Sequence, residues 1–269
     1  MSARLSILND TAAIAAFALR NVHLHQFALA DLEPRFRPRT TFYDWCADDQ
    51  IQQLAMVYNA PGDPVLIAHA YPPAASMREC LHSLLPLLPS RLYAHISHEV
   101  VDVVQSAYNV VDRASLSKMA LVDVEPSLAI NPDSVKALTP ADLPALNAFY
   151  AITGGGGHFD PATLAAGHVY AIRNGVDILS VAGVHVESPT YGIAVIGNVA
   201  THPAHRCQGL ASRVCGVLCQ VLTQAGRTHI GLNVHSDNHS AIRLYQRLGF
   251  RTIISFGACR LVRTANHRS

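Results

Sequence analysis

Asn198-Val-Ala-Thr-His-Pro-Ala-His-Arg-Cys-Gln-Gly-Leu-Ala-Ser212 is the stretch on which the fold is decided. It joins a β-branched run, Gly192 to Thr201, to a segment in which Leu210, Val214, Val217, Leu218, Val221 and Leu222 recur at steps of three and four. That spacing predicts a strand running into a helix with one apolar stripe, ending near Gly226. Upstream, Asp177 to Glu187 is a second β-branched run, parted from the first by Ser188-Pro189-Thr190-Tyr191, and the two predict a hairpin of central strands. Downstream come a short strand from His229 to Val234, a helix from about Asn238 to Leu248 stopped by Gly249, and a strand from Arg251 to Val262. Strand, helix, strand, helix, strand is an α/β order.

The chain has 269 residues, enough for one large or two ordinary domains. Half of it is hydrophobic and 14% is charged, against about 25% in an average domain, which excludes a disordered or heavily solvated chain. A formal charge of +1 gives no electrostatic footprint for nucleic acid or an anionic membrane, so any anion must be held locally. No apolar run reaches the roughly 18 residues a spanning helix needs, and the reading is a soluble, cytoplasmic protein. Six scattered cysteines read as reduced thiols. Fifteen histidines show no ligand spacing, and no metal is expected.

Pro126, Asn131, Pro132 and Asp133 punctuate the middle, and Thr139-Pro140-Ala141-Asp142 reads as a capped helix start. A boundary near residue 130 follows, with domains at 1–130 and 131–269. The first half repeats the α/β order loosely: Val65 to Tyr71, a helical stretch from Ala75 to Leu88, Arg91 to Ile96, a helical stretch from Ser97 to Tyr108, and Ser117 to Val122. It reads as a degenerate internal copy, with an unrelated α/β domain as the alternative.

The strand-to-helix turn is an anion site by its chemistry. Free N–H groups at a helix entrance attract phosphate, Gly209 permits close backbone approach, and Arg206 adds charge-assisted hydrogen bonds. A purely structural turn would show the same Gly and Arg. A second segment, Asn238-His-Ser-Ala-Ile-Arg-Leu-Tyr-Gln-Arg-Leu-Gly-Phe250, lies at the right distance. Together Arg206-x-x-Gly209-x-Ala211, Asn238, Tyr245 and Leu248-Gly249-Phe250 resemble the GNAT superfamily of N-acetyltransferases. Gly197-Asn-Val-Ala-Thr-His-Pro203 further looks like its glycine N-acyltransferase-like branch.

The resemblance, which covers residues 134 to 262 well, implies a GNAT-like mixed sheet flanked by helices, preceded by a degenerate GNAT-like α/β domain. It implies acetyl-CoA as co-substrate, its pyrophosphate on Arg206, Cys207, Gln208, Gly209, Leu210, Ala211 and Ser212. The pantetheine arm would run along Val199, Ala200 and Thr201. Asn238 and Tyr245, seven apart and so on one helical face, would look towards the thioester. Tyr245 is the candidate proton donor to the departing thiolate, and a packed core tyrosine is its structural alternative.

Many family members carry a Glu eight residues before the Pro of the turn or five before the Asn. Here those positions are Val195 and Asn233. His185 and Glu187, two apart and on one strand face, are the candidate bases, with His202, His235 or relayed water as others. Gly154-Gly-Gly-Gly157 with His158-Phe159-Asp160-Pro161 reads as a flexible loop over the acceptor. Cys207 is expected to act through its N–H, and Cys215 and Cys219 to face the core. Ala70-Tyr-Pro-Pro-Ala-Ala-Ser-Met77 lacks the glycine and Arg of the turn, so the first half is expected to wall the acceptor site.

The expected function is transfer of an acetyl or short acyl group to a small-molecule or peptide amine, with no nucleic acid or membrane partner and a homodimer left open. The rivals are a longer or aromatic acyl group, and a non-catalytic CoA-binding or interaction protein.

Overall fold

The structure is a computed structural model that describes residues 3–59, 62–154 and 164–264. Two compact units emerge from its contacts. One comprises the chain through Lys118, Val234–Asp237, and the chain from Thr252 onward; the other comprises Met119–Asn233 and Asn238–Arg251.

The first unit opens with β1 (Arg4–Ile7), α1 (Thr11–Ala18), α2 (Gln26–Ala30), β2 (Thr40–Ala47) and β3 (Gln50–Tyr58). There follow β4 (Val65–Ala68), α3 (Ala74–Leu84), β5 (Arg91–Ser97), α4 (Val101–Gln105) and β6 (Tyr108–Leu121). Strands β1 to β4 form an antiparallel meander, and β4 and β5 pair in parallel from Val65–Tyr93 to Ala68–Ile96. Between these two strands, α3 buries Met77, Cys80, Leu81 and Leu84, the one-face spacing of an amphipathic crossover helix. Those side chains pack with Trp45, Leu66, Leu92 and Ile96.

The second unit contains α5 (Glu125–Leu128), β7 (Val135–Ala137), α6 (Leu143–Thr153), β8 (Val169–Asn174), β9 (Asp177–Ser188) and β10 (Ile193–Thr201). It continues through α7 (Leu210–Gln224), β11 (His229–His235) and α8 (His239–Arg247). Strands β7 to β10 are antiparallel, and β10 and β11 pair in parallel. Ahead of α6, Thr139 donates through both N–H and hydroxyl to Asp142 Oδ2, at 2.7 and 2.9 Å, in the expected capped start. The apolar stripe of α7 buries Val214, Leu218 and Leu222, and Gly226 at φ +78° ends the segment.

The hairpin of β9 and β10, the crossover helix and the short strand after it lie within a residue or two of their expected bounds. The final strand, β12 (Phe250–Arg263), has a partner that the sequence did not reveal. From Phe256–Ser97 to Val262–Arg91 it runs antiparallel to β5 of the first unit. Residue 130, expected as the boundary, lies inside the second unit. Side-chain bonds account for this: Ser127 Oγ donates to Leu248 O at 2.8 Å, and Gln220 Nε2 donates to Ser127 O and Ile130 O at 2.9 and 2.8 Å. Between Ser97 and Tyr108 the expected helix shortens to α4 and a 3₁₀ turn, and β6 starts nine residues before Ser117. Gly154 ends α6 at φ +70°, while the expected loop at 155–161 lies outside the described residues.

Candidate functional site

β10 is irregular where the site is expected. Gly197 pairs with Gly183, the next pair is Ala200 with Val181, and Asn198 between them takes φ 55°. This is a β-bulge, which bends a strand and unpairs residues locally. The Tyr150 hydroxyl of α6 donates to the Asn198 carbonyl and pins the bulge. No periodicity in α6 distinguishes Tyr150 from a core aromatic, so sequence reading missed it.

On the other edge of β10 the parallel ladder runs from Ile193–His229 to Ile196–Leu232. Beyond that pair, Gly197 to Thr201 of β10 diverge from the ladder, and Asn233 Oδ1 is buried without a hydrogen-bond partner among the described residues. An open strand edge of this kind accepts an extended, amide-bearing chain.

The turn that follows begins with a 3₁₀ segment, Pro203–His205, where His202 Nδ1 accepts from Ala204 N at 3.3 Å. Cys207 and Gly209 then take φ 62° and 76°, and α7 starts at Leu210 with no side-chain cap. The first-turn N–H groups are therefore left for an outside acceptor. A Cβ added at Gly209 would meet nothing within 4 Å, so the space over the helix entrance is open. Arg206 is exposed, its Nε donating to Thr201 O at 3.4 Å. Arg213, one turn into α7, donates to Ser134 Oγ. It is a second cation at this helix entrance, and its place in the first turn was the signal that could have found it.

The two α8 residues expected on one face differ in surroundings. Asn238 is exposed and caps its own helix, with Oδ1 accepting from Ala241 N at 3.1 Å and from Ser240 Oγ at 2.9 Å. Tyr245 is 7% exposed, its ring edge-on to Phe250 at 5.8 Å and beside Cys215 and Cys219. Burial, with a smaller contribution from the two thiols, pushes its hydroxyl above the ordinary tyrosine range. Cys215 and Cys219 are buried as expected, the Cys219 thiol raised to about 12 by desolvation. Cys207 is exposed.

The two candidate bases also part company. Glu187 Oε2 lies 3.2 Å from both His168 Nδ1 and Arg227 Nη2. Pairing with His168 first, then with Arg227, holds this carboxyl below its usual range, which makes it a poor proton acceptor. Two-residue spacing put His185 and Glu187 on one face but said nothing of the partners waiting there. His185 is exposed on β9, with Cβ above Gly197, where an added Cβ would lie 3.0 Å away. Partial desolvation lowers its imidazole, leaving it neutral at pH 7. Val195 is buried at 2% exposure. Among the described residues no three His, Cys, Asp or Glu side chains group to hold a metal ion, and no helix is long and apolar enough to cross a membrane.

The acetyltransferase (GNAT) family model matches residues 141–250, which span the bulge, the turn and α8. None of the curated proteins matches the sequence. Solved structures share the fold along nearly the whole chain. A protein described as a GNAT-family acetyltransferase from Novosphingobium aromaticivorans is 23% identical, with a TM-score of 0.59 over 78% of this chain and 89% of that one. A Drosophila protein reaches a TM-score of 0.70 at 11% identity, covering 96% and 98% of the two chains. A GCN5-related N-acetyltransferase from Sphaerobacter thermophilus gives 0.59 at 17% identity, covering 97% and 96%.

Proposed function

Starting from a GNAT acetyltransferase family domain at residues 141–250, we propose that the second unit transfers an acetyl or other short acyl group from CoA to an amine. The observation that carries this reading is the open edge of β10 leading directly into the uncapped entrance of α7. Main-chain groups of Val199, Ala200 and Thr201 would hold the amides of the pantetheine arm. N–H groups from Cys207 to Ser212, with the guanidinium of Arg206, would hold the diphosphate. Bound acyl-CoA supplies an activated thioester carbonyl.

Tyr245 Oη, kept protonated by burial, gives its proton to the leaving sulfur. His185, neutral at pH 7, takes the proton of the amine, while Glu187 holds β9 to Arg227 and His168. Asn238 serves the site as the cap that sets the start of α8. The paired state of Glu187 favours one second reading, a CoA-binding protein without turnover.

The first unit is read as a copy without the cofactor turn. Its parallel ladder also ends after four pairs, but there Ser97 Oγ accepts from Ala70 N at 2.9 Å and ties the strand ends together. Asn233, the equivalent of Ser97 one residue past the last pair, has no hydrogen bond at Oδ1 among the described residues.

Calorimetry with acetyl-CoA tests the proposal. One site per full-length chain is expected. Arg206→Ala should weaken binding roughly ten- to a hundredfold, and Gly209→Glu should abolish it. Unchanged affinity in Gly209→Glu would refute the turn assignment. Release of free thiol from acetyl-, propionyl- and benzoyl-CoA across an amine panel separates the acyl lengths, including the glycine N-acyltransferase-like reading, and its absence with every pair would favour the non-catalytic one.

A further inference from the structure

The interior of the first unit, away from the turn, holds nitrogen-bearing side chains that no hydrogen bond among the described residues satisfies. Lys118 on β6 is 1% exposed, and its Nζ has no partner among the described residues. It lies 5.0 Å from the centroid of the Phe27 ring on α2. His69, one residue past β4, is 2% exposed and unpartnered at both Nδ1 and Nε2. His25, which leads into α2, is 6% exposed and unpartnered at Nε2. His95 on β5 meets the same group through Phe256, whose ring centroid is 4.7 Å from that of His69 and 5.0 Å from that of His95.

These groups converge on one place. Lys118, His95 and His25 lie close enough to His69, and Lys118 and Arg20 to His25, for their charged forms to oppose its protonation. Among the described residues no carboxylate acts on the titration of Lys118, His25 or His69. Buried polar groups in folded proteins are almost always hydrogen-bonded, and buried cations are paired. An uncompensated cluster of buried donors is the counterpart of a missing anion.

We infer that Lys118, His69 and His25 form an occluded binding site for a small monocarboxylate. Charge selects the ligand. Desolvation brings Lys118 down to about 7, so an incoming anion readily charges it. His25, lowered to about 3, and His69, lowered well below its ordinary value, both by burial first, stay neutral and can each offer one N–H. One cation and two neutral donors match a single negative charge spread over two oxygens. A phosphate dianion would leave charge unmatched in the interior. The rings beside these groups are apolar: Phe27 beside Lys118, Phe256 beside His69, and Phe17 and Tyr71 beside His25.

Titration of the full-length protein with sodium acetate at pH 8, in two buffers of different ionisation heat, tests the site. Acetate should bind with uptake of close to one proton, because a lysine titrating near 7 is mostly neutral at that pH and is charged in the filled site. Lys118→Met should weaken acetate binding at least about tenfold and remove the proton uptake, with acetyl-CoA binding unchanged. Between pH 7 and 10.5 the unfolded chain holds more protons at Lys118 than the folded one does. The Met variant without acetate should therefore melt above the wild type at pH 7, the gap closing toward pH 10. His69→Phe provides a second variant expected to lose affinity. Absence of acetate binding by the wild type, equal binding by Lys118→Met, or tighter binding of inorganic phosphate or chloride than of acetate would overturn the inference.

Discussion

Gly249 is the position at which one methyl group should do most harm. Its φ is +95°, and a Cβ placed there would lie 1.7 Å from the Asp123 carbonyl oxygen and 2.8 Å from its carbon. Both are main-chain atoms, so no side-chain rotation relieves the clash. The Gly249 carbonyl meanwhile accepts from Val122 N and Asp123 N at 3.1 and 3.2 Å. In Gly249→Ala the two segments must separate, losing two hydrogen bonds of about 0.5–1.5 kcal/mol each. An L-residue at positive φ adds about 1–2 kcal/mol. The sum is about 2–5 kcal/mol, a large part of the 5–15 kcal/mol that typically holds a domain together. Gly209→Ala is the control, because it has φ +76° but nothing within 4 Å, so only the conformational strain of about 1–2 kcal/mol applies. Urea denaturation followed by far-ultraviolet circular dichroism would compare the two. A Gly249→Ala midpoint equal to that of Gly209→Ala, at unchanged slope, would refute the reasoning.

Tyr245→Phe keeps the ring against Phe250 and should lower turnover by about 10²–10⁴ with little change in the Michaelis constant for acetyl-CoA; wild-type turnover would remove the general-acid role. Because burial raises that hydroxyl, the wild-type rate should hold through pH 10 rather than fall there, as a pH–rate profile would record. Glu187→Gln should destabilise by about 1–3 kcal/mol near neutral pH by leaving Arg227 without its charged partner. A carboxyl held low in the folded state stabilises above its unfolded value near 4.5 and loses that contribution as pH falls through the folded one; thermal melts of Glu187→Gln should therefore converge on the wild type in acid.

Most of the second unit was legible because its signals are local. The stripe from Leu210 to Leu222, the capped start at Thr139 and the stops at Gly226 and Gly249 each depend on neighbours within a turn or two of chain. Strand partners depend on residues far away. Arg251 to Val262 reads as a strand from its composition, yet its partner, β5, lies about 160 residues upstream, and nothing in its alternation names it. The chain before Val65 carries β1, α1, α2, β2 and β3, none of which sequence reading singled out. β1 has only four residues and α2 only five, too few for a period to show.

The site was legible in the same uneven way. Backbone features have sequence signatures: a glycine where φ must be positive, and an Asn where a helix must be capped. Proton chemistry has none, because a pKa is set by what folding brings within a few ångströms. Spacing alone gave His185 and Glu187 equal standing, and His168 and Arg227 then separated them by pairing with one carboxylate and keeping it ionised. Lys118 makes the same point from the other side. In the sequence Ser-Leu-Ser-Lys-Met it is an ordinary polar residue of an alternating strand, and alternation predicts only that it faces opposite to Ser117. That the face it occupies meets Phe27 and lies near His69 is a fact of tertiary structure. A desolvation that carries a lysine from 10.5 to about 7 is therefore decided by the helix packed over it rather than by the strand that bears it.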